Sequence, residues 1–368
     1  MTDTHFIPGL ELAEAYYGEV IAPILAESFF DLPHAAGLIG PGSDVLGYDT
    51  SRSMDHDWGP RCVLVLTEAD LQTYGASVDH ALATSLPRTF RGFSTGFDFH
   101  SDGTTRAADG EANTPVRHRV TITSVSRLLQ DTLGISRVAE LSLEVWVTAS
   151  QQSLLHLTAG KIFRDDLGDL TEVRNRLCWF PDDVWRYLMA GAWKNIAQLE
   201  PFIGRCGEVG DDLGSQLVAM RVLKDQLSLA FLQERAYAPY QKWFGTAFAR
   251  LEIAPRIATL IEGIRFGRTW QQREAASVRL SSMLVERHNA LSLSAPCDGT
   301  PRRFHERPFT IIDAERIADA LHAAIDDPRV RLLPRDLGGI DTWVDSTDAI
   351  VNSELRHMLR GWLVHRDA

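Results

Sequence analysis

The sequence predicts an α+β protein, with a mixed sheet and flanking helices over residues 1–170 and an all-helical region over residues 171–368. The apolar runs Ala35 to Ile39 and Cys62 to Leu66 have strand length. Val116 to Val125 alternates, with Val120, Ile122 and Ser124 on one face and Thr121, Thr123 and Val125 on the other, as a strand of the same sheet would. Beyond about Leu170 helical periodicity dominates and strand signals nearly vanish, while Trp185, Tyr187, Trp193 and Phe202 supply bulk. A chain of 368 residues is long enough for two such domains, each with its own core.

Taken in order, Glu11 to Phe30 carries Leu12, Tyr16, Val20, Ile24 and Leu25 at helical spacing, so a helix leads into the first strand. Thr67 with Asp70 reads as a capped start of a helix that runs to about Pro87. Ser101 to Thr114 is rich in Gly, Asp, Thr and Ala and reads as an exposed loop. A short helix is expected from Ser126 to Leu133. In the second half the clearest helix spans Asp211 to Glu234, with Leu213, Leu217, Met220, Leu227 and Phe231 forming an apolar stripe. Further helices are expected over Ala247 to Phe266, Thr269 to His288 and Ala314 to Ala324.

Composition narrows the function classes. The formal net charge of −12 argues against a nucleic-acid partner gripped through its phosphates. A small, cationic acceptor suits an acidic protein better. No signal pattern and no apolar run approaching the ~20 residues of a membrane span is seen, so a cytoplasmic location is expected. Cys62, Cys178, Cys206 and Cys297 fit no ligand spacing and read as reduced thiols.

The stretch Gly42 to Trp58 carries the chemistry. On a strand, Asp55 and Asp57 would project to the same face, with His56 pointing into the sheet. Two adjacent carboxylates repel unless a cation neutralises them, and their hard oxygens suit Mg²⁺, or Mn²⁺, which shares its shell with substrate phosphates. Gly42 lets backbone pass close to a phosphate, and Ser43 offers a hydroxyl and an amide to its oxygens. The expectation is a metal-dependent phosphoryl-transfer site.

The Gly-Ser turn followed by Asp-x-Asp, with an apolar strand behind it, resembles the signature of the DNA polymerase β-type nucleotidyltransferase superfamily. Gly47 and Ser53 stand where that superfamily has an Arg-Gly and a Ser-Asp, but Leu46 replaces the Arg, leaving Arg52 as the nearest substitute. Phe6 to Leu12, Asp55 to Arg61, Thr158 to Lys161, Gly207 to Asp211, Lys242 to Phe248 and His288 to Leu291 together resemble the bacterial family called domain of unknown function 4037.

The resemblance implies a nucleotidyltransferase-fold N-terminal domain and a helical C-terminal domain that closes the cleft. It implies a nucleoside triphosphate substrate, expected to be ATP, whose NMP group passes to the hydroxyl of a small-molecule acceptor. Asp55 and Asp57 would be metal ligands and catalytic groups. Gly42, Ser43, Arg52, Ser53 and Lys242 would bind the nucleotide. Such a site usually has a third carboxylate on a neighbouring strand, and here that strand carries Thr121 and Thr123. Asp98, if Phe93 to Phe99 is the adjacent strand, or Glu208 from the helical side, would supply the base. The alternative is a non-catalytic nucleotide-binding regulator that lacks this group.

Overall fold

A computed structural model describes residues 6–101, 103–108, 114–335 and 337–364. The chain divides into two compact units, Met1–Leu141 with Ser153–Cys178, and Ser142–Gln152 with Trp179–Ala368.

The first unit opens with helix α1 (Gly9–Tyr16), a π turn (Tyr17–Ile21) and helix α2 (Ala22–Ser28) in continuous succession. Pro23 has no N–H to give the carbonyl of Glu19, and the helix widens just where that bond is lost. Strand β1 (Ala35–Leu38), strand β2 (Arg61–Leu66) and helix α3 (Glu68–Ser85) follow. Thr67 caps α3 as expected, its Oγ1 accepting from Asp70 N at 3.0 Å. Two small ribbons come next, β3 (Thr89–Phe90) with β4 (Phe93–Ser94), and β5 (Phe97–Phe99) with β6 (Thr105–Ala107). The chain returns to the sheet in β7 (Arg119–Ser124) and leaves it in helix α4 (Val125–Leu133). Helix α5 (Leu143–Thr148) belongs to the second unit, helix α6 (Gln151–Thr158) spans the division, and strand β8 (Lys161–Asp165) and helix α7 (Asp169–Arg176) complete the first unit. The expected boundary at residue 170 thus falls inside α7.

The sheet has the order β7-β2-β1-β8, with β2 and β7 parallel and the other pairs antiparallel. Alternation along β2 divides the core. Cys62 and Leu64 pack with Leu12, Tyr16, Val78 and Leu82 from α1 and α3, while Val63 and Val65 face Leu170, Val125 and Leu128 on the other side. Gly160, at φ +73°, lies where a Cβ would come within 1.9 Å of the Leu38 carbonyl oxygen, so only glycine lets the chain turn into β8 here.

Two expectations about the strands and loops around the ribbons fail. Phe93 to Phe99 is not a strand of the main sheet but is split between the two ribbons, because Asp98 pairs in register with Arg106. The expected loop over Ser101 to Thr114 contains β6, and its residues 102 and 109–113 lie outside the described residues.

The second unit is helical: α8 (Asp182–Leu199), α9 (Phe202–Glu208), α10 (Asp212–Gln233), α11 (Gln241–Phe248), α12 (Ala254–Phe266) and α13 (Trp270–Leu291), a short ribbon of β9 (Arg302–Arg303) and β10 (Thr310–Ile311), then α14 (Glu315–Ala323), α15 (Pro328–Arg331) and α16 (Ser353–Val364). Asp211 caps α10, accepting from Gly214 N at 2.8 Å. Of the apolar stripe expected on α10, Phe231 is buried but Leu213, Leu217 and Met220 are exposed, while Ala219, Val222, Gln226, Leu229 and Gln233 are buried. On the buried side the Gln226 amide donates to Ser277 O at 2.9 Å and Ser281 Oγ at 2.7 Å on α13. No helix among the described residues is long and apolar enough to cross a membrane.

Two buried carboxyls make this unit sensitive to pH. Burial pushes both Glu200 and Glu274 up to about 7, against backbone N–H donors from Ala314 and Ile312 on the first and Thr310 on the second. With folded values above the unfolded ones, the native state holds more protons between the two, so stability falls as pH rises through about 4.5 to 7. Glu274→Gln keeps the acceptor for Thr310 and removes the charge. Thermal unfolding between pH 5 and 8 is expected to show a flatter pH dependence in this variant, with about 1–3 kcal/mol gained at the alkaline end; an unchanged slope would contradict the assignment.

Candidate functional site

The first unit carries a polar cleft of about 420 Å³ at the start of the parallel strands, lined by Asp57, Arg61, Thr105, His118, Arg119 and Thr121, with Phe99 at its side. The parallel register sets Arg61 directly beside Arg119. In a parallel pair such neighbours share a face, so two guanidinium groups are brought together. Each then needs an anion.

Arg61 has one. Its Nε and Nη2 donate to the Asp44 carboxylate at 2.8 and 2.7 Å, and Nη2 also reaches the Pro41 carbonyl at 3.0 Å. Asp44 is 2 % exposed, so this is a buried, two-pronged pair that ties the Gly42 turn to β2. A Cβ on Gly42 would fall 2.5 Å from Arg61 Nη2, and φ there is +139°, a conformation open to glycine alone. Gly9 closes on the same turn, its N–H donating to Asp49 at 2.7 Å while Trp58 Nε1 donates to the same carboxylate oxygen at 2.9 Å.

Arg119 is less well served. Burial and then the charge of Arg61 lower its pKa to about 10, against the opposing pull of Asp57 and Asp44. Its guanidinium lies 5.3 Å over the Phe97 ring, and among the described residues its buried Nη1 has no hydrogen-bond partner.

Asp57 faces this cation from a turn, not from a strand. Thr50 and Ser53 form a reciprocal capping box that fixes a 3₁₀ helix over Ser51–Asp55, and the chain then reverses through Asp57, at φ +53°, and Gly59 before β2 begins. The strand alternation expected to align Asp55 with Asp57 is therefore absent. Asp57 Oδ1 accepts from Thr105 N at 2.9 Å and Thr105 Oγ1 at 2.7 Å. Burial alone would raise its pKa, but the Thr105 donors, Arg119 and His56 hold the carboxyl below its ordinary range. Asp55 is exposed, with Oδ1 2.9 Å from His56 Nδ1, so His56 does not point into the sheet.

The other expected site residues disperse. Ser43 lends its carbonyl to Tyr48 N at 2.8 Å, Arg52 is exposed, and the Ser53 hydroxyl accepts from Thr50 N at 3.1 Å inside the capping box. Glu208 is the last residue of α9 in the second unit, just ahead of α10, whose cap is Asp211. Lys242 sits in the first turn of α11, not in a loop, with Nζ 5.2 Å from the Trp243 ring centre. Asp98 is exposed and 3.5 Å from Arg117. On β7, Thr121 lines the cleft and Thr123 is buried. Sequence reasoning missed Arg61 and Arg119 as site residues. The available signal was a lone Arg at the head of each apolar strand, which only register makes adjacent.

Residues 146–244 match the model of a family described as a domain of unknown function, DUF4037. No curated protein matches the chain. The chain is similar to the crystal structure of a nucleotidyltransferase-like protein from Exiguobacterium sibiricum 255-15, at 13% identity over 84% of this chain and 89% of that one, with a TM-score of 0.33.

Proposed function

We propose that the first unit binds the triphosphate of a nucleoside triphosphate in the Arg61–Arg119 cleft and that the protein is a nucleotidyltransferase, moving an NMP group to a small-molecule hydroxyl with release of pyrophosphate. The observation that carries the reading is the pairing of two partly buried guanidinium groups, one with an Nη1 that has no hydrogen-bond partner among the described residues, beside Asp57. Phosphate oxygens are the natural complement of such a pair. Of the segment that resembles the nucleotidyltransferase signature, Asp57 lines this cleft and Gly42 packs against Arg61 at its edge.

Of the Asp-x-Asp pair only Asp57 lines the cleft, and among the described residues its Oδ2 carries no hydrogen bond, so it would offer one hard oxygen to a divalent ion held mainly by the substrate phosphates. Bound there, Mg²⁺ would supply charge neutralisation to the phosphates. Arg61, locked by Asp44, positions phosphate oxygens, and Arg119 neutralises their charge in a site of reduced dielectric. Thr105 holds the Asp57 carboxylate ionised.

A second reading is favoured by one observation. β7 presents Thr121 to the cleft where a catalytic carboxylate would stand, and no group of three or more His, Cys, Asp and Glu side chains among the described residues is placed to hold a metal. A regulator that binds nucleotide without turning it over has this arrangement. Incubation with Mg²⁺, each α-labelled nucleoside triphosphate and candidate hydroxyl acceptors tests both. Label transfer is expected, falling by about 100-fold or more in Asp57→Ala and in Asp55→Ala, and lost with chelator. Tight nucleotide binding with no transfer would select the regulator; transfer that survives both substitutions would place the chemistry elsewhere.

A further inference from the structure

The helical unit holds a small cavity of about 60 Å³ whose wall mixes apolar side chains with charged and amide groups. Apart from residues of the 341–350 stretch, every residue lining it lies between Gln151 and Phe244, within the segment 146–244 that matches the family model. Its charge is unbalanced. Asp225, Asp341 and Asp345 face it, while Lys224 is its one lining cation among the described residues.

The partners of these groups show where the imbalance falls. Asp225 Oδ2 takes Arg221 Nε at 3.2 Å, and Asp345 takes the same guanidinium at 3.5 Å and Gln241 Nε2 at 3.0 Å. Lys224 is turned to the Phe244 ring, 4.5 Å away, and to Ser228 Oγ at 3.4 Å. Asp341 receives Gln151 N at 3.0 Å, and no cation among the described residues pairs with it. Burial has pushed Asp341 up to about 6 and raised Asp225, the cost of carboxylates short of positive charge. Asn195, Ser228 and Thr342 add uncharged donors and acceptors to the wall.

A cavity of this volume takes about four to six water-sized groups. We propose that it is a binding site for a small primary ammonium bearing a neighbouring hydroxyl, with Asp341 as the counter-ion and the uncharged wall groups taking the hydroxyl. A ligand ammonium supplies the missing charge and its three N–H donors suit carboxylates and amide oxygens. Asp341 shares the cavity with Lys224 and Asp225 from α10, Tyr240 ahead of α11 and Asp345 on its own segment, Lys224 being the cation whose charge reaches it, while Arg221 is held by Asp225 and Asp345; the ligand competes with protonation of the Asp341 carboxylate, so affinity falls as pH drops through about 6. The inference does not rest on nucleotide binding.

Isothermal titration of the full chain with ethanolamine, without nucleotide or Mg²⁺ and with ethylene glycol as the uncharged counterpart, tests it. Ethanolamine is expected to bind about tenfold tighter than the glycol or better, and to weaken about tenfold between pH 7 and pH 5. Asp341→Asn keeps an acceptor for Gln151 N–H and should lose about tenfold or more; Asp345→Asn should lose less and guards against a folding defect in the first variant. No binding of ethanolamine, equal binding of the glycol, or unchanged affinity in both variants would overturn the proposal.

Discussion

Replacing Arg119 with methionine is expected to stabilise the protein and to cripple its binding of nucleoside triphosphate. The two effects have one origin. A guanidinium that is partly buried beside Arg61, with no partner for Nη1 among the described residues, is a cost to the free protein of about 1–3 kcal/mol. Methionine has comparable length, no charge to desolvate, and a sulfur that packs well over Phe97, so the cation–π contact is largely replaced. The melting temperature should therefore rise by about 2–4 °C for each kcal/mol recovered. Triphosphate affinity should fall about tenfold or more, the value of a charge-assisted hydrogen bond. Differential scanning calorimetry with and without nucleotide reads both quantities. A lower melting temperature with unchanged nucleotide affinity would show that Arg119 is a structural cation and not a phosphate ligand.

The opposite outcome is expected at Asp44. Asp44→Ala leaves Arg61 without its bidentate partner and next to Arg119, with Asp57 the carboxylate left lining the cleft among the described residues. Breaking a buried pair by removing one member costs about 3–5 kcal/mol, and the Gly42 turn loses its tie to β2 at the same time. The double variant Asp44→Leu with Arg61→Met removes both charges and should recover most of that stability. It should not recover triphosphate binding, because Arg61 itself is gone. Denaturant unfolding of Asp44→Leu, Arg61→Met and the double variant closes the cycle. Additive losses, with no recovery in the double variant, would mean that the turn and β2 are held by other contacts.

Local signals were legible without a structure. The runs Ala35 to Ile39 and Cys62 to Leu66 and the alternation around Val120 became β1, β2 and β7, and Thr67, Asp211 and Thr269 each cap the helix that follows. Strand period, helix period and caps depend on residues a few positions apart, so the chain specifies them by itself. Where a decision needed a distant partner, the sequence misled. Asp55 and Asp57 read as strand neighbours until the capping box and the Thr105 contact, from a ribbon 48 residues away, turned Asp57 into a left-handed bend. The face that α10 buries, Val222, Leu229 and Phe231 with Gln226 bonded to Ser277 and Ser281 on another helix, leaves Leu213 and Leu217 exposed. Arg61 and Arg119 are each ordinary strand-leading residues in the chain. Parallel pairing of β2 with β7 makes them adjacent, and register is a property of two strands held by a common core, which no single segment encodes.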